Sequence, residues 1–229
     1  MSIIFDKLIQ LTEDFKSILQ QHTFESEEKH PFEWENRIYQ SAFVRRAHLD
    51  VVDARETKKL YMMHLCIFPK VWDTAPIYGF DLIAGPTKVT GAFHDFSPTG
   101  DKEHRLCRWF QNEVKDFEWS KKRNLPEWAR NIFSDSMVAA GNINTEEELN
   151  IILDLSKRSL KYYLRGLFEF QPDTTYEDKI AGPQYKDKQN WYCQNQKLNP
   201  HTPKVMESLG YDKETVQNFI QNCLFPEIE

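Results

Sequence analysis

The chain has 229 residues, 40% of them hydrophobic and 28% charged, which fits one compact unit over 1–229 without a linker. Its net charge of −6 argues against wholesale binding to nucleic acid or to an anionic membrane. No run approaches the roughly 20 apolar residues that span a bilayer. The amino terminus, Met1 to Lys7, lacks the basic start and apolar core of a signal peptide. Cys66, Cys107, Cys193 and Cys223 lie far apart with no C-x-x-C pair, as expected of reduced, packed thiols in a cytoplasmic protein.

From Ile3 to about Gln21, Ile4, Phe5, Leu8, Ile9, Leu11, Phe15, Ile18 and Leu19 recur at three- and four-residue steps and predict a one-sided helix. Four strand-like runs follow at Ser41–Val52, Lys59–Phe68, Ile77–Ala84 and Lys88–Phe96, rich in β-branched and aromatic residues. The short joints Arg55-Glu56-Thr57 and Gly85-Pro86-Thr87 predict antiparallel pairing as a meander. Helical pattern returns at His104–Phe117 and Glu127–Phe133, and Ser136–Ala140 reads as one more strand. Thr145 then predicts an N-cap, with Glu146, Glu147 and Glu148 in the first turn of a long helix to about Phe168. Two or three further helices close the chain. Helices before, within and after one set of strands predict an α+β fold, a central antiparallel sheet with helices on both faces.

There is no G-x-G-x-x-G after a strand, no P-loop, no H-E-x-x-H and no G-x-S-x-G, so no motif supports dinucleotide binding, NTP hydrolysis, zinc proteolysis or hydrolase chemistry. Attention falls instead on titratable residues inside apolar strands. Asp95 lies in Ala92-Phe93-His94-Asp95-Phe96-Ser97-Pro98 and His64 in Leu60-Tyr61-Met62-Met63-His64-Leu65-Cys66. A charge so placed is costly unless paired or neutralised. Period-two alternation puts His64 on a face with Met62, Cys66 and Phe68, Asp95 with Gly91 and Phe93, and Asp50 with His48 and Val52. If these faces share one pocket, His48, Asp50, His64 and Asp95 form a cluster suited to proton chemistry. An isolated strand histidine or aspartate is more commonly a satisfied hydrogen-bonding group, and Asp50, beside Asp53 and Arg55, could be a surface salt-bridging residue. Two imidazoles and two carboxylates would also suit zinc or iron, but no pair has the close spacing of such sites. Fourteen per cent of the chain is aromatic, enough to line a site for a large planar ligand, although core packing is the commoner use. Arg45-Arg46, Lys58-Lys59, Lys121-Lys122-Arg123 and Lys186 with Lys188 could compose a docking face for an acidic protein.

Taken together, Arg46-Ala47-His48-Leu49-Asp50, His64-Leu65-Cys66-Ile67-Phe68-Pro69, Tyr78-Gly79-Phe80-Asp81-Leu82 and His94-Asp95-Phe96-Ser97-Pro98 resemble the ferredoxin-dependent bilin reductases. Leu125-Pro126-Glu127-Trp128, Ile132-Phe133-Ser134-Asp135, Tyr192-Cys193-Gln194-Asn195-Gln196, Asn199-x-x-Thr202 and Cys223-Leu224-Phe225 are similar to the phycocyanobilin:ferredoxin oxidoreductase branch. The resemblance implies an α/β/α sandwich holding biliverdin IXα between the sheet and the carboxy-terminal helices. It also implies a monomer with no bound cofactor, reducing its substrate by radical chemistry with electrons from a [2Fe–2S] ferredoxin.

Carried over by residue, the resemblance makes Asp95 the central proton donor, His64 the histidine paired with it and His48 a supporting histidine. Trp128, Gln196, Asn199 and Thr202 match substrate-binding positions, and His201 stands where this branch often has Lys. Asp50 replaces the Glu associated with protonating the D-ring vinyl group, and Pro200 replaces an aspartate that most members carry. Both departures resemble a phage-type offshoot associated with phycoerythrobilin. The implied reaction is four-electron reduction of biliverdin to phycoerythrobilin through 15,16-dihydrobiliverdin. Phycocyanobilin is the alternative product, and a non-catalytic bilin-binding or chaperone protein the alternative of another class.

Overall fold

Every strand pairs antiparallel with its neighbour in sequence, so the sheet of this computed structural model is a meander that reads in chain order. The structure describes residues 2–28, 30–171 and 173–229. Helix α1 (Ile3–His22) leads into β1 (Phe24–Glu25), β2 (Glu35–Gln40) and β3 (Val44–Ala54). One helical turn, α2 (Arg55–Lys58), and Lys59 in the left-handed region at φ 54° return the chain into β4 (Leu60–Pro69). Strands β5 (Ile77–Ala84) and β6 (Val89–Ser97) follow, then α3 (Arg105–Val114), α4 (Glu127–Arg130) and β7 (Val138–Ile143). The carboxy-terminal part holds α5 (Glu146–Glu169), α6 (Tyr176–Ala181), α7 (Lys186–Gln196), α8 (His201–Ser208), α9 (Lys213–Asn218) and a π-helical segment, Phe219–Leu224.

The expected α+β class and flanking helices are present, but the sheet has seven strands among the described residues, two more than the hydrophobic pattern predicts. Thr145 caps α5 by accepting from the Glu148 N–H at 3.3 Å, as its position predicts. The Glu148 carboxylate goes further and accepts from the Ser120 N–H at 2.6 Å, tying the preceding loop to the helix.

Alternation along the strands sends two sets of side chains to two different covers. On one face Leu49, Leu65, Ile67, Tyr78, Phe80 and Phe96 pack with Leu8, Phe15, Phe110, Leu155 and Tyr163 of α1, α3 and α5. These buried side chains are almost wholly apolar and supply most of the hydrophobic driving force. On the other face Val52, Cys66, Phe68 and Ile77 meet Tyr192, Cys193, Phe219, Ile220, Cys223 and Phe225 of α7 and the carboxy-terminal segment. This second face is the one into which the sheet also projects its titratable groups. No helix of the described residues is long and apolar enough to cross a membrane.

Candidate functional site

Antiparallel register aligns Asp50 of β3, His64 of β4, Asp81 of β5 and Phe93 of β6 in a single row across the sheet. Residues directly opposite one another share a face, so two carboxylates flank one imidazole at the strand spacing of about 5 Å. The adjacent row is His48, Cys66, Gly79 and Asp95. His48, His64 and Gly79 of these rows lie under the carboxy-terminal cover.

His64 is buried, with its Nδ1 at 2.7 Å from Asp81 Oδ1. Burial alone would lower its pKa, but the Asp81 carboxylate, and after it Asp50, more than offset this and hold it above the ordinary histidine value. A proton on Nδ1 is donated to Asp81, which leaves Nε2, buried and without a protein partner, facing the cover. Asp50 is 7% exposed. Burial pushes its carboxyl up to about 7, against the pull of His64 and of the Trp34 indole N–H. Asp50 therefore exchanges its proton near neutral pH. His48 lies with its ring 6.1 Å from that of His64 and donates from Nε2 to Asn36 Oδ1 at 2.9 Å. Burial drives its pKa well down, so it stays neutral and its Nδ1 is a free acceptor.

Asp95 and His64 do not form the pair expected of them. They sit two strands apart and two residues out of register, about 12 Å at ordinary strand spacing and rise. Asp95 instead accepts from the Ser134 N–H at 2.9 Å, the Ser134 hydroxyl and the Ser97 hydroxyl at 2.7 Å. Desolvation pushes its pKa up while these donors draw it partly back. The carboxylate thus anchors the Ser134 loop, which follows α4 and whose Phe133 packs between Trp128 of α4 and Tyr192. Asp95→Asn would turn an amide N–H₂ towards at least one of three donors and should cost about 1–3 kcal/mol of stability in a denaturant titration. Turnover should stay close to wild type, and a loss of turnover at unchanged stability would return Asp95 to a direct role.

Above the second row the Tyr192 hydroxyl lies over Gly79, 3.3 Å from where a Cβ would stand, and accepts from Gln196 Nε2 at 2.8 Å. The ring of Phe225 meets His64 edge-on at 5.8 Å, and that of Phe219 meets His48 at 6.4 Å. Of the other residues expected at the site, Gln196 and Trp128 belong to this cover, Trp128 being part-buried beside Phe133. Asn199 precedes α8, which His201 and Thr202 open, and Asn199 Oδ1 accepts from the His201 N–H at 3.0 Å. Thr202 is part-buried and His201 exposed, and neither makes a hydrogen bond to the row of titratable groups. The docking role suggested for Arg45-Arg46 also needs correction. Arg46 is 5% exposed, pairs with Glu28 and donates to the Cys223 carbonyl at 2.7 Å, while Arg45 lies over the Phe68 ring and bonds Gln189. That pair fastens the carboxy-terminal segment to β3.

Asp81 is the residue that sequence patterning passed over. It stands in an apolar run with Gly79 before it and Leu82 after it, and only the β4–β5 register reveals that it faces His64. Its side chain keeps 43% of its surface exposed. What the row offers chemically is two groups that hold or release protons, His64 and Asp50, beneath an apolar, aromatic cover with Asp81 at its margin, and two buried ring nitrogens without protein partners, His48 Nδ1 and His64 Nε2. Such atoms fit the polar edge of a flat, conjugated ligand better than they fit a closed core.

Comparison with known proteins agrees with that chemistry. The family model for ferredoxin-dependent bilin reductases matches residues 6–226. A phycocyanobilin:ferredoxin oxidoreductase of Prochlorococcus marinus strain SARG is 30% identical over 193 residues, 83% of this chain and 74% of that protein. The corresponding Gloeobacter violaceus protein is 27% identical, with 83% and 72% covered. The solved structure of PcyX superposes with a TM-score of 0.69 at 32% identity, covering 97% of this chain and 99% of that one. The tomato phytochromobilin synthase, solved in complex with biliverdin, shares the fold at a TM-score of 0.71 and 15% identity, over 96% and 82% of the two chains. The chain that places a histidine between two aspartates on a covered sheet face belongs to the ferredoxin-dependent bilin reductases, and it is an oxidoreductase.

Proposed function

We propose that the protein reduces biliverdin IXα to phycoerythrobilin through 15,16-dihydrobiliverdin, with four electrons from a [2Fe–2S] ferredoxin and four protons delivered through its own side chains. The observation that carries this reading is the Asp50–His64–Asp81 row beside an aromatic cover. Each one-electron addition to the conjugated tetrapyrrole raises its basicity, and a proton must follow at a defined atom. His64 supplies one from Nε2 once it is doubly protonated, and Asp81 holds the ring so that this nitrogen faces the ligand. Asp50, neutral up to about pH 7, supplies another at the end of the row. Admission of the ligand requires Tyr192 and Phe225 to give way, and the apolar cover then excludes water from the radical. His48, Trp128, Gln196, Asn199, His201 and Thr202 are assigned to substrate binding. The central role expected of Asp95 goes in this reading to Asp81, because Asp81 is the aspartate bonded to His64.

The test is anaerobic incubation with biliverdin, reduced ferredoxin and chromatography of the products. Absorbance should move to shorter wavelength as conjugation shortens, and an unchanged spectrum over stoichiometric enzyme would refute reduction and leave a bilin carrier. Product choice rests on Asp50. Its shorter side chain sets the acid about 1.5 Å, one carbon–carbon bond, further back than a glutamate would, and proton transfer needs near-contact geometry. Asp50→Glu should therefore divert part of the product to vinyl-reduced phycocyanobilin. Product unchanged in that variant would place the selectivity elsewhere.

A further inference from the structure

We propose that Trp34 is a positioning residue for Asp50, its indole N–H fixing the direction in which the carboxyl group presents itself to substrate. The inference rests on the reading of Asp50 as a proton donor. Trp34 immediately precedes β2, whose Asn36 pairs with Asp50, so position 34 falls on the same sheet face one step along, beside Val52. The indole is 8% exposed and clamped on three sides: Phe32 stacks on it at 4.8 Å, Tyr211 packs at 4.6 Å and Phe219 meets it edge-on at 5.0 Å. A ring held this way cannot swing its N–H out to water. Nε1 makes no hydrogen bond of ordinary geometry, and neither does Asp50 Oδ1, although both atoms are buried.

Two such atoms on neighbouring positions of one face are costly apart and favourable together. The Trp34 N–H is also the uncharged donor acting on Asp50, beside His64 on β4 and Asp81 on β5. His48 on the same face of β3, Tyr211 from the α8–α9 turn and Cys223 from the π-helical segment complete the titratable surroundings of the carboxyl. On its outer side the indole walls off an open groove of about 510 Å³ lined by Leu209, Tyr211, Val52 and Ala54. Trp34 therefore separates Asp50 from solvent as well as orienting it. Because the donor is neutral, it favours the ionised carboxylate without adding charge under the ligand.

The test titrates Asp50 in the ligand-free protein, so its outcome is independent of whether biliverdin is reduced. The infrared carbonyl band of protonated Asp50 is assigned by its loss in Asp50→Asn. In Trp34→Phe, which keeps an aromatic ring but removes the N–H, the midpoint of that band should move to higher pH by roughly half a unit or more. An unchanged midpoint overturns the proposal. Should Trp34→Phe fail to fold, the wild-type tryptophan emission decides: a component that titrates with Asp50 and disappears in Asp50→Asn supports the contact. Identical pH dependence in the two proteins overturns it.

Discussion

Asp81→Asn should bind biliverdin, accept an electron from ferredoxin and then stall, with the turnover rate reduced by about 10²- to 10⁴-fold. The substitution keeps the size of the side chain and a carbonyl oxygen that can still accept from His64 Nδ1, so the row keeps its shape. What it removes is the negative charge that holds the imidazole protonated against the pull of burial. His64 then titrates lower, and at neutral pH too little of it carries the Nε2 proton that must follow the electron. A radical signal should accumulate in paramagnetic resonance under anaerobic single turnover, and lower pH should recover part of the rate because it refills His64. Wild-type turnover in Asp81→Asn would defeat the assignment. Asp95→Asn is the internal comparison, since both aspartates lie on the same face of the sheet but only one touches the histidine.

Why the sequence leads first to Asp95 is instructive. Both acids sit in apolar strands, and alternation tells which neighbours share a face along one strand, not which residues stand opposite on the next. That pairing depends on the irregular connection from Lys70 to Pro76, whose length does not reveal how far β5 slides past β4. The meander, the order of the four central strands and the long α5 helix are legible because each carries strong local signals: branched and aromatic runs, short turn-prone joints, and Thr145 with its three glutamates. The amino-terminal edge is not legible. In β2 only Ile38 and Tyr39 are buried, among Glu35, Asn36, Arg37 and Gln40, so the strand exists through its ladder with β3 rather than through its own composition.

The site was partly legible for the same reason. His48, Asp50 and His64 declare themselves as polar residues in buried strands, and register does bring them together. The cover does not declare itself. Tyr192 and Phe225 stand out only within motifs of the family resemblance, Phe219 not at all, and only long-range folding lays them across the titratable row. Arg45 and Arg46 mislead in the opposite direction. They look like surface charge, yet a ring face, an amide, a carboxylate and a backbone carbonyl draw both inward.

Asp50→Asn should stabilise the protein at pH 8 by roughly 2–4 kcal/mol while leaving its stability near pH 4 almost unchanged. The sign follows from the raised pKa. In the unfolded chain an aspartate ionises near 3.9, whereas folded Asp50 keeps its proton up to about pH 7. Between these values the native state binds more protons than the unfolded state, so the contribution of this residue to stability falls as pH rises through that window. Above it, the folded protein must hold a desolvated carboxylate, a cost that an uncharged amide escapes. His64 runs the same way at higher pH: its raised pKa contributes stability that is complete below the unfolded value and is lost as pH climbs through the folded one. Parallel denaturant titrations of the two proteins from pH 4 to pH 8 should therefore diverge steadily, the variant gaining stability where it loses the proton donor. Curves that stay parallel would show that Asp50 ionises in the folded protein as it does in water, and would remove it from the proton-handling row.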